Sequence, residues 1–142
     1  RWLKIWALLS GVFSTVSGYE PEKHFRRPVA LAWTGDGLLA VANRDAGSVS
    51  LIDVVKRKVV GETVVGKKLT DLVALPGGRF LLVTDEEKSE LVLLELAPSG
   101  RRELARNRIV GPTWSHPAFA GTAVYARSDT ELVRVELPIA AD

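Results

Sequence analysis

The stretch "PVALAWTGDGLLAVANRDAGSVSLID", Pro28 to Asp53, contains short apolar runs separated by turn residues. A closely similar pattern returns in "TDLVALPGGRFLLVTDEEKSELVLLE", Thr70 to Glu95. Short runs rich in Val, Leu and Ala that are broken at close intervals by Gly, Asp, Pro and Ser are typical of β-strands joined by tight turns. The chain therefore repeats one unit of antiparallel strands.

Each copy carries a hairpin signal between its first two apolar runs. In the first copy Asp36 and Gly37 separate the runs, and glycine accepts the positive φ that a tight hairpin turn requires. In the second copy Pro76 fixes its own φ and is followed by Gly77 and Gly78. A charged loop and a further apolar run follow in both copies, so each unit predicts consecutive antiparallel strands.

The spacing of equivalent residues gives the period of the repeat. Gly37 and Gly78 are 41 residues apart, Asp53 and Glu95 are 42 apart, and Glu95 and Glu136 are 41 apart. A four-stranded propeller blade has a period of about 40 to 50 residues. The spacing therefore matches one blade per repeat.

The period predicts an all-β fold, a partial β-propeller of about three four-stranded antiparallel blades. Stacked blades bury both faces of their middle strands, which explains why the apolar runs are continuous rather than alternating. We assign blades to residues 27–66 and 67–111 and an incomplete blade to residues 112–142. The predicted strands of the first two blades are Val29–Trp33, Leu38–Asn43, Val49–Val54, Val59–Val65, Asp71–Leu75, Phe80–Thr84, Leu91–Leu96 and Glu103–Asn107.

Two stretches also carry a family resemblance. "RPVALAWTGDGLLAVANRDAGSVSLIDVVKRKVVGETVVG", Arg27 to Gly66, resembles a repeat of the YVTN family of bacterial extracytoplasmic propellers, with its Asp-Gly turn, "VAN" strand, Gly-Ser turn, "V-x-x-I-D" and final "VG". "TWSHPAFAGTAVYARSDTELVRVEL", Thr113 to Leu137, resembles the blades of quinoprotein (PQQ-like) propellers, which often pair "HP" with a later "YxR-D" strand. Both resemblances imply a β-propeller and are poorly specific for function.

The number of repeats is smaller than a closed ring requires, because propellers close with about four blades or more. Three explanations stay open: a piece of a longer chain, which we favour, assembly with other copies, or a compact closed β fold that is not a propeller. In an open arc we expect each terminal blade to leave one apolar face without a partner.

The first 18 residues form a separate segment. Arg1 and Lys4 precede an apolar run from Ile5 to Phe13, and small residues follow up to Gly18. This order is that of a secretory signal peptide. The apolar run is about half of the roughly 20 residues that a membrane-spanning helix needs. We therefore favour a signal-like helix over a permanent membrane span or a buried element of the fold, and we expect export to the periplasm or the extracellular space.

Composition excludes several classes of protein. The chain has no cysteine, which removes disulfides, thiolate metal sites, covalent haem attachment and a cysteine nucleophile. Arg1 and Lys4 are the only charged residues before Gly18, so the remaining 17 basic and 17 acidic residues balance. Nucleic-acid binding needs clustered basic residues without such balance. We interpret the basic groups at residues 56–58, 67–68 and 101–102 as solvated loops.

The two histidines, His24 and His116, are too few for a histidine-based metal site. Ser115 next to His116 does not make a nucleophile and base, because neighbours on a strand point to opposite faces. We interpret His116 as a structural residue. We therefore assign no catalytic residue, no metal site and no cofactor.

The acidic residues at Asp53, Glu95 and Glu136 end equivalent strands of successive units. A residue that recurs once per blade usually has a structural role, such as accepting a hydrogen bond from a turn amide. We expect that role here rather than catalysis.

Two functions follow as hypotheses. The first is a non-catalytic exported propeller module that serves as a binding or scaffold domain and takes a protein, glycan or small ligand at its loop face. The second is a piece of a propeller enzyme, such as an oxidoreductase or hydrolase, with the possibility of fusion to a cytochrome c domain. For the first, the predicted binding residues are Arg44, Asp45, Asp85, Glu86 and Arg127.

The leader yields a direct prediction. When the protein is expressed in a secreting bacterium, cleavage after the small residues Val16, Ser17 and Gly18 should leave a mature chain that begins near Tyr19. N-terminal sequencing of the periplasmic or secreted protein measures this. Exported protein that still begins at Arg1 contradicts the signal-peptide interpretation.

Overall fold

A computed structural model of the chain describes residues 25–35, 37–97, 100–109 and 116–137. The predicted leader, residues 1–18, lies outside this part of the chain. The described residues form eleven β-strands in three antiparallel sheets. Each sheet is a meander, in which consecutive strands are hydrogen-bonded neighbours. The all-β prediction is confirmed.

The first sheet follows the predicted strands to within one residue at each end. Its first two strands are joined by a turn in which Gly35 and Gly37 have φ values of 88° and 72°. This is the hairpin that the sequence predicts, with glycine in the backbone region that favours it. The four strands are β1 (Pro28–Trp33), β2 (Leu38–Asn43), β3 (Ser48–Asp53) and β4 (Lys58–Val64).

The second sheet differs from prediction mainly at its last strand. That strand begins three residues earlier than predicted, because Arg101 and Arg102 pair with Leu96 and Glu95 on the strand before it. The interpretation of residues 101–102 as a solvated loop is therefore wrong: two arginines at an exposed sheet edge look like a loop in sequence. The strands are β5 (Leu69–Ala74), β6 (Phe80–Asp85), β7 (Glu90–Ala97) and β8 (Gly100–Arg108).

The third sheet has three strands among the described residues. Its middle strand pairs with both others, so that Val124 lies opposite Phe119 on one side and Val135 on the other. Its strands are β9 (Ala118–Ala120), β10 (Ala123–Arg127) and β11 (Leu132–Glu136).

The core lies between the sheets in two apolar layers. In the first layer Ala40, Ala42 and Val49 of the first sheet pack with Leu81 and Val83 of the second. In the second layer Leu82 and Leu93 of the second sheet pack with Val124, Phe119 and Val135 of the third. The second sheet is therefore covered on both faces, as the continuous apolar runs predict.

The repeated acidic positions have structural partners. Asp53 accepts a 2.8 Å hydrogen bond from the backbone N–H of Lys56, which confirms the predicted turn contact. Glu95 is instead held by two guanidinium groups, those of Arg79 and Arg102. Only 7% of Glu95 is exposed. The pKa of Glu95 lies below its usual value. The hydrogen bond from Arg79 is the largest cause, and the hydrogen bond from Arg102 is the next.

These contacts predict an acid-sensitive component of stability. A carboxyl group with a lowered folded-state pKa stabilises the fold fully above its unfolded pKa of about 4.3, and this contribution is lost as the pH falls through the folded-state pKa. Glu95→Gln should therefore flatten the fall in the free energy of unfolding on acidification below about pH 4.3. Urea titrations across that range measure it.

Arg79→Met should reproduce part of the effect, because it removes one of the two donors to Glu95. Identical pH profiles for the wild type and Glu95→Gln contradict the prediction.

Candidate functional site at the rim

Two turns lie at the same end of neighbouring sheets, and we call this end the rim. The β2–β3 turn starts at Arg44 and the β6–β7 turn starts at Glu86. The backbone N–H of Arg44 donates to the carbonyl of Arg27 at 2.9 Å, and that of Glu86 donates to the carbonyl of Lys68 at 3.0 Å. Because the same backbone geometry repeats, equivalent side chains of successive sheets come to lie side by side.

An ion pair joins the two turns. Nη2 of Arg44 lies 2.5 Å from Oε2 of Glu86. Nη1 of Arg44 also donates to the carbonyl of Leu69 at 3.4 Å. The Arg44 and Glu86 side chains are only 17% and 26% exposed, so water screens their attraction less than at an open surface. Arg44 thus connects the first sheet to both the turn and the first strand of the second sheet.

Asp85 is buried at the end of β6, with 1% of its surface exposed. Its carboxylate accepts hydrogen bonds from the backbone N–H groups of Lys67 at 2.7 Å, Lys68 at 3.1 Å and Glu87 at 3.1 Å. Lys67 and Lys68 belong to the segment that links the first sheet to the second. Asp85 therefore fixes this link, and its oxygens are occupied by backbone donors.

Close backbone approach explains the glycines beside Asp85. A Cβ on Gly66 would lie 2.3 Å from Oδ2 of Asp85, and a Cβ on Gly47 would lie 2.2 Å from the carbonyl oxygen of Gly66. The Gly47 carbonyl in turn accepts hydrogen bonds from the N–H groups of Val65 and Gly66 at 2.8 and 2.9 Å. The "VG" at the end of the first repeat is thus required by packing at the rim.

A cleft of about 350 Å³ opens beside these residues. It takes side chains from all three sheets, and three of the five predicted binding residues line it: Arg44, Asp85 and Glu86. The other lining residues are Arg27, Val29, Thr70, Thr84, Ser89, Glu90, Ile109, His116, Pro117 and Ala126. The cleft therefore combines apolar side chains with paired charges and hydroxyl groups.

The other two predicted binding residues lie outside the cleft. Asp45 is on the rim, with Oδ1 3.9 Å from Nη1 of Arg27. Arg127 ends β10 next to Ala126, and alternation along the strand turns Arg127 to the opposite face because Ala126 lines the cleft. The five residues consequently do not form one continuous surface.

Sequence reasoning missed several cleft residues. Oγ1 of Thr70 lies 2.8 Å from Oγ1 of Thr84, and Nδ1 of the exposed His116 lies 3.5 Å from Oδ2 of Asp71. Arg27 and Thr70 lie at the start of the first strand region of their sheets. In an antiparallel meander that start is at the same end as the turn after the second strand. This topological signal was present in the sequence.

Within the described ranges, no helix is long and apolar enough to cross a membrane. No group of three or more His, Asp or Glu side chains in that same part of the chain could hold a metal ion.

Comparison with known proteins identifies the fold. No protein-family model and no curated protein matches the sequence. Among solved structures, hydrazine synthase of Kuenenia stuttgartiensis matches 84% of this chain and 35% of its own at 20% identity, with a TM-score of 0.68. The Cps50 (Swd1) β-propeller domain of Myceliophteria thermophila matches 77% of this chain and 39% of its own at 20% identity, with a TM-score of 0.64. A chain of a mitotic checkpoint complex matches 76% and 35% at 18% identity, with a TM-score of 0.68.

These likenesses and the three stacked sheets show that the chain forms part of a β-propeller. The chain spans between 35% and 39% of the length of these three neighbours.

The two aspartates of the rim predict different mutational costs. Asp85→Ala leaves buried backbone donors without a partner and should lower the free energy of unfolding by about 2–4 kcal/mol. Asp45→Ala removes only a long, exposed charge contact and should change it by no more than about 0.5 kcal/mol. Urea denaturation of the two variants measures both values. Equal costs would show that Asp85 does not fix the link between the sheets.

Proposed function

We propose that this protein is an exported, non-catalytic propeller module of YVTN-type repeats, with a PQQ-like third repeat, and that it binds a protein partner at the rim. The module belongs to a larger propeller, because its three sheets correspond to about a third of the length of the neighbouring propeller chains. Arg44 and Glu86 are the central contact residues, with Asp45 at the border of the same surface.

One observation carries this proposal: equivalent turn residues of two successive sheets, Arg44 and Glu86, meet beside a cleft that the third sheet completes. Loops held by a rigid scaffold are the usual place for recognition, and clefts that combine apolar surface with a few fixed polar groups are the usual binding sites. The described rim has this composition.

A protein partner is favoured over a small charged ligand by the electrostatics of the cleft. Arg44 is paired with Glu86, and Arg106 is paired with the cleft residue Glu90. Paired, fixed charges give register and specificity to a protein interface. One of the neighbouring propellers was solved within the mitotic checkpoint complex, a protein assembly.

A second candidate is a segment of a propeller enzyme. The likeness to hydrazine synthase favours it, since that protein is named as an enzyme and part of it matches the fold of 84% of this chain. A covalent haem motif in the adjoining reading frame would favour this candidate over the binding module.

The test exchanges the charges of the rim while keeping their pairing. The double variant Arg44→Glu/Glu86→Arg preserves an ion pair between the turns, so folding is retained, but it reverses the charge pattern that a partner meets. Proteins captured from the source cells by the full-length protein are identified, and the affinity of the purified partner is then measured. We expect binding to the exchanged variant to weaken about tenfold or more.

The matched control exchanges an ion pair at the opposite end of the first sheet. Asp53 and Lys56 form a 2.8 Å pair in the β3–β4 turn. The double variant Asp53→Lys/Lys56→Asp should bind the partner like the wild type. A partner that binds the rim variant as tightly as the wild type refutes the proposed site.

A further inference from the structure

One face of the first sheet has no partner among the described residues. Two rows of cross-strand neighbours form it: one consists of Leu31, Val41 and Ser50, and the other of Trp33, Leu39 and Ile52. We call these six residues the leading face. Val41 and Ser50 are only 6% and 5% exposed, but Leu31 and Trp33 keep 63% and 55% of their surface exposed. Exposed side chains of this size on neighbouring positions mark an interaction surface.

The second sheet carries the same face in the same register. Leu72, Val83 and Val92 form one row of cross-strand neighbours, and Ala74, Leu81 and Leu94 form the other. Each residue lies 41 or 42 positions after its counterpart on the leading face. In the second sheet this face is covered by the first sheet, and all of its Leu and Val side chains are at most 3% exposed.

The face of the second sheet is covered by a surface made mostly of alanine. The side chains of the strands of the first sheet in that contact layer are Ala30, Ala32, Ala40, Ala42, Val49 and Leu51. Large residues on one sheet thus fill the space left by small residues on the next, as close packing requires. The leading face carries the large side of this arrangement, so it needs a sheet with a small-residue side.

In a second copy of this chain the alanine face is already covered by that copy's own second sheet, and the described residues of its third sheet present a different surface. The outward face of the third sheet is mixed, because it carries the apolar Leu132 together with Tyr125, Arg127, Arg134 and Glu136. Arg134 is paired to Glu136 at 2.5 Å and bonded to the Tyr125 hydroxyl at 3.3 Å. The expectation of apolar faces on both terminal sheets is therefore wrong for the third. Burying these charged groups against Leu31 and Trp33 would cost free energy without new partners.

We propose that the leading face is the docking surface for one further four-stranded propeller blade, which presents an alanine-rich apolar face to Leu31 and Trp33. This inference depends on the fold and the register of the sheets and is independent of the binding role of the rim cleft.

The chain itself supplies a probe with the required face. A second copy of residues 26–66 is inserted directly before Arg26, so that its alanine face can cover the leading face of the original first sheet. The inserted copy carries Arg44→Glu, which places a carboxylate beside the original Arg44, as Glu86 is placed in the native chain. The junction of Gly66 and Arg26 then takes the place of Gly66 and Lys67.

The readout is thiol alkylation, because the chain contains no cysteine. Leu31→Cys in the original copy should react at least about tenfold more slowly in the extended protein than in the 142-residue protein. The same substitution in the inserted copy should react quickly. Val55→Cys, in the 87% exposed position of the β3–β4 turn, should react at one fast rate in both proteins.

Leu72→Cys tests whether the extended protein is folded, since that position is 3% exposed in the native contact. Loss of its protection overturns the proposal, because a matching blade stabilises the sheet on which it docks. Equal reactivity of Leu31→Cys in the two copies overturns it as well.

Two results in the 142-residue protein would assign the face to a different occupant and overturn the proposal. Protection of Leu31→Cys that rises with protein concentration identifies a second copy. Protection that disappears on deletion of residues 1–24 identifies the leader.

Discussion

Packing of large side chains against small ones between adjacent sheets is the contact on which the remainder of the structure depends. Leu81 and Val83 fit against Ala40 and Ala42, and this brings the backbones of the first two sheets close together. Burial at this layer supplies the main favourable free energy, at about 25 cal/mol per Å² of apolar surface. The turns and links at the rim must then fit the short distance between the sheets, which is why Gly47 and Gly66 meet there without side chains.

Charged side chains form hydrogen bonds to backbone groups along the seam, which is the line of contact between the first and second sheets. Arg101 and Arg106 extend from β8 to the carbonyls of Val49 and Val65 in the first sheet, at 3.2 and 2.6 Å. Burial lowers the pKa of Arg101, whereas the hydrogen bonds that Arg106 donates to Glu103 and Glu90 raise the pKa of Arg106. The outer edge of the seam is therefore closed by guanidinium groups, and its rim end is closed by the Asp85 carboxylate.

The fold could be predicted because each repeat contains the same local signals. The Asp36–Gly37 turn and the continuous apolar runs placed the strands of the first sheet to within one residue. The site could be predicted only in part. The charged turns identified Arg44 and Glu86, but their pairing across sheets depends on a contact between residues 42 positions apart. Arg127 lies away from the cleft because strand alternation in β10 turns it to the other face. Residues 101–102 were assigned to a loop because a basic pair at a sheet edge has the composition of a loop.

The ion pair between Arg44 and Glu86 has a consequence for how the chain folds. The repeats are similar enough in their apolar pattern that a newly formed sheet could dock on the wrong neighbour. If the first sheet docked on a duplicate of itself, two Arg44 side chains would come together. Like charges repel strongly in a partly buried site, because water screens them less there. Opposite charges at equivalent turns thus give successive repeats a fixed order, and they disfavour misfolded forms in which the first sheets of two molecules dock on each other.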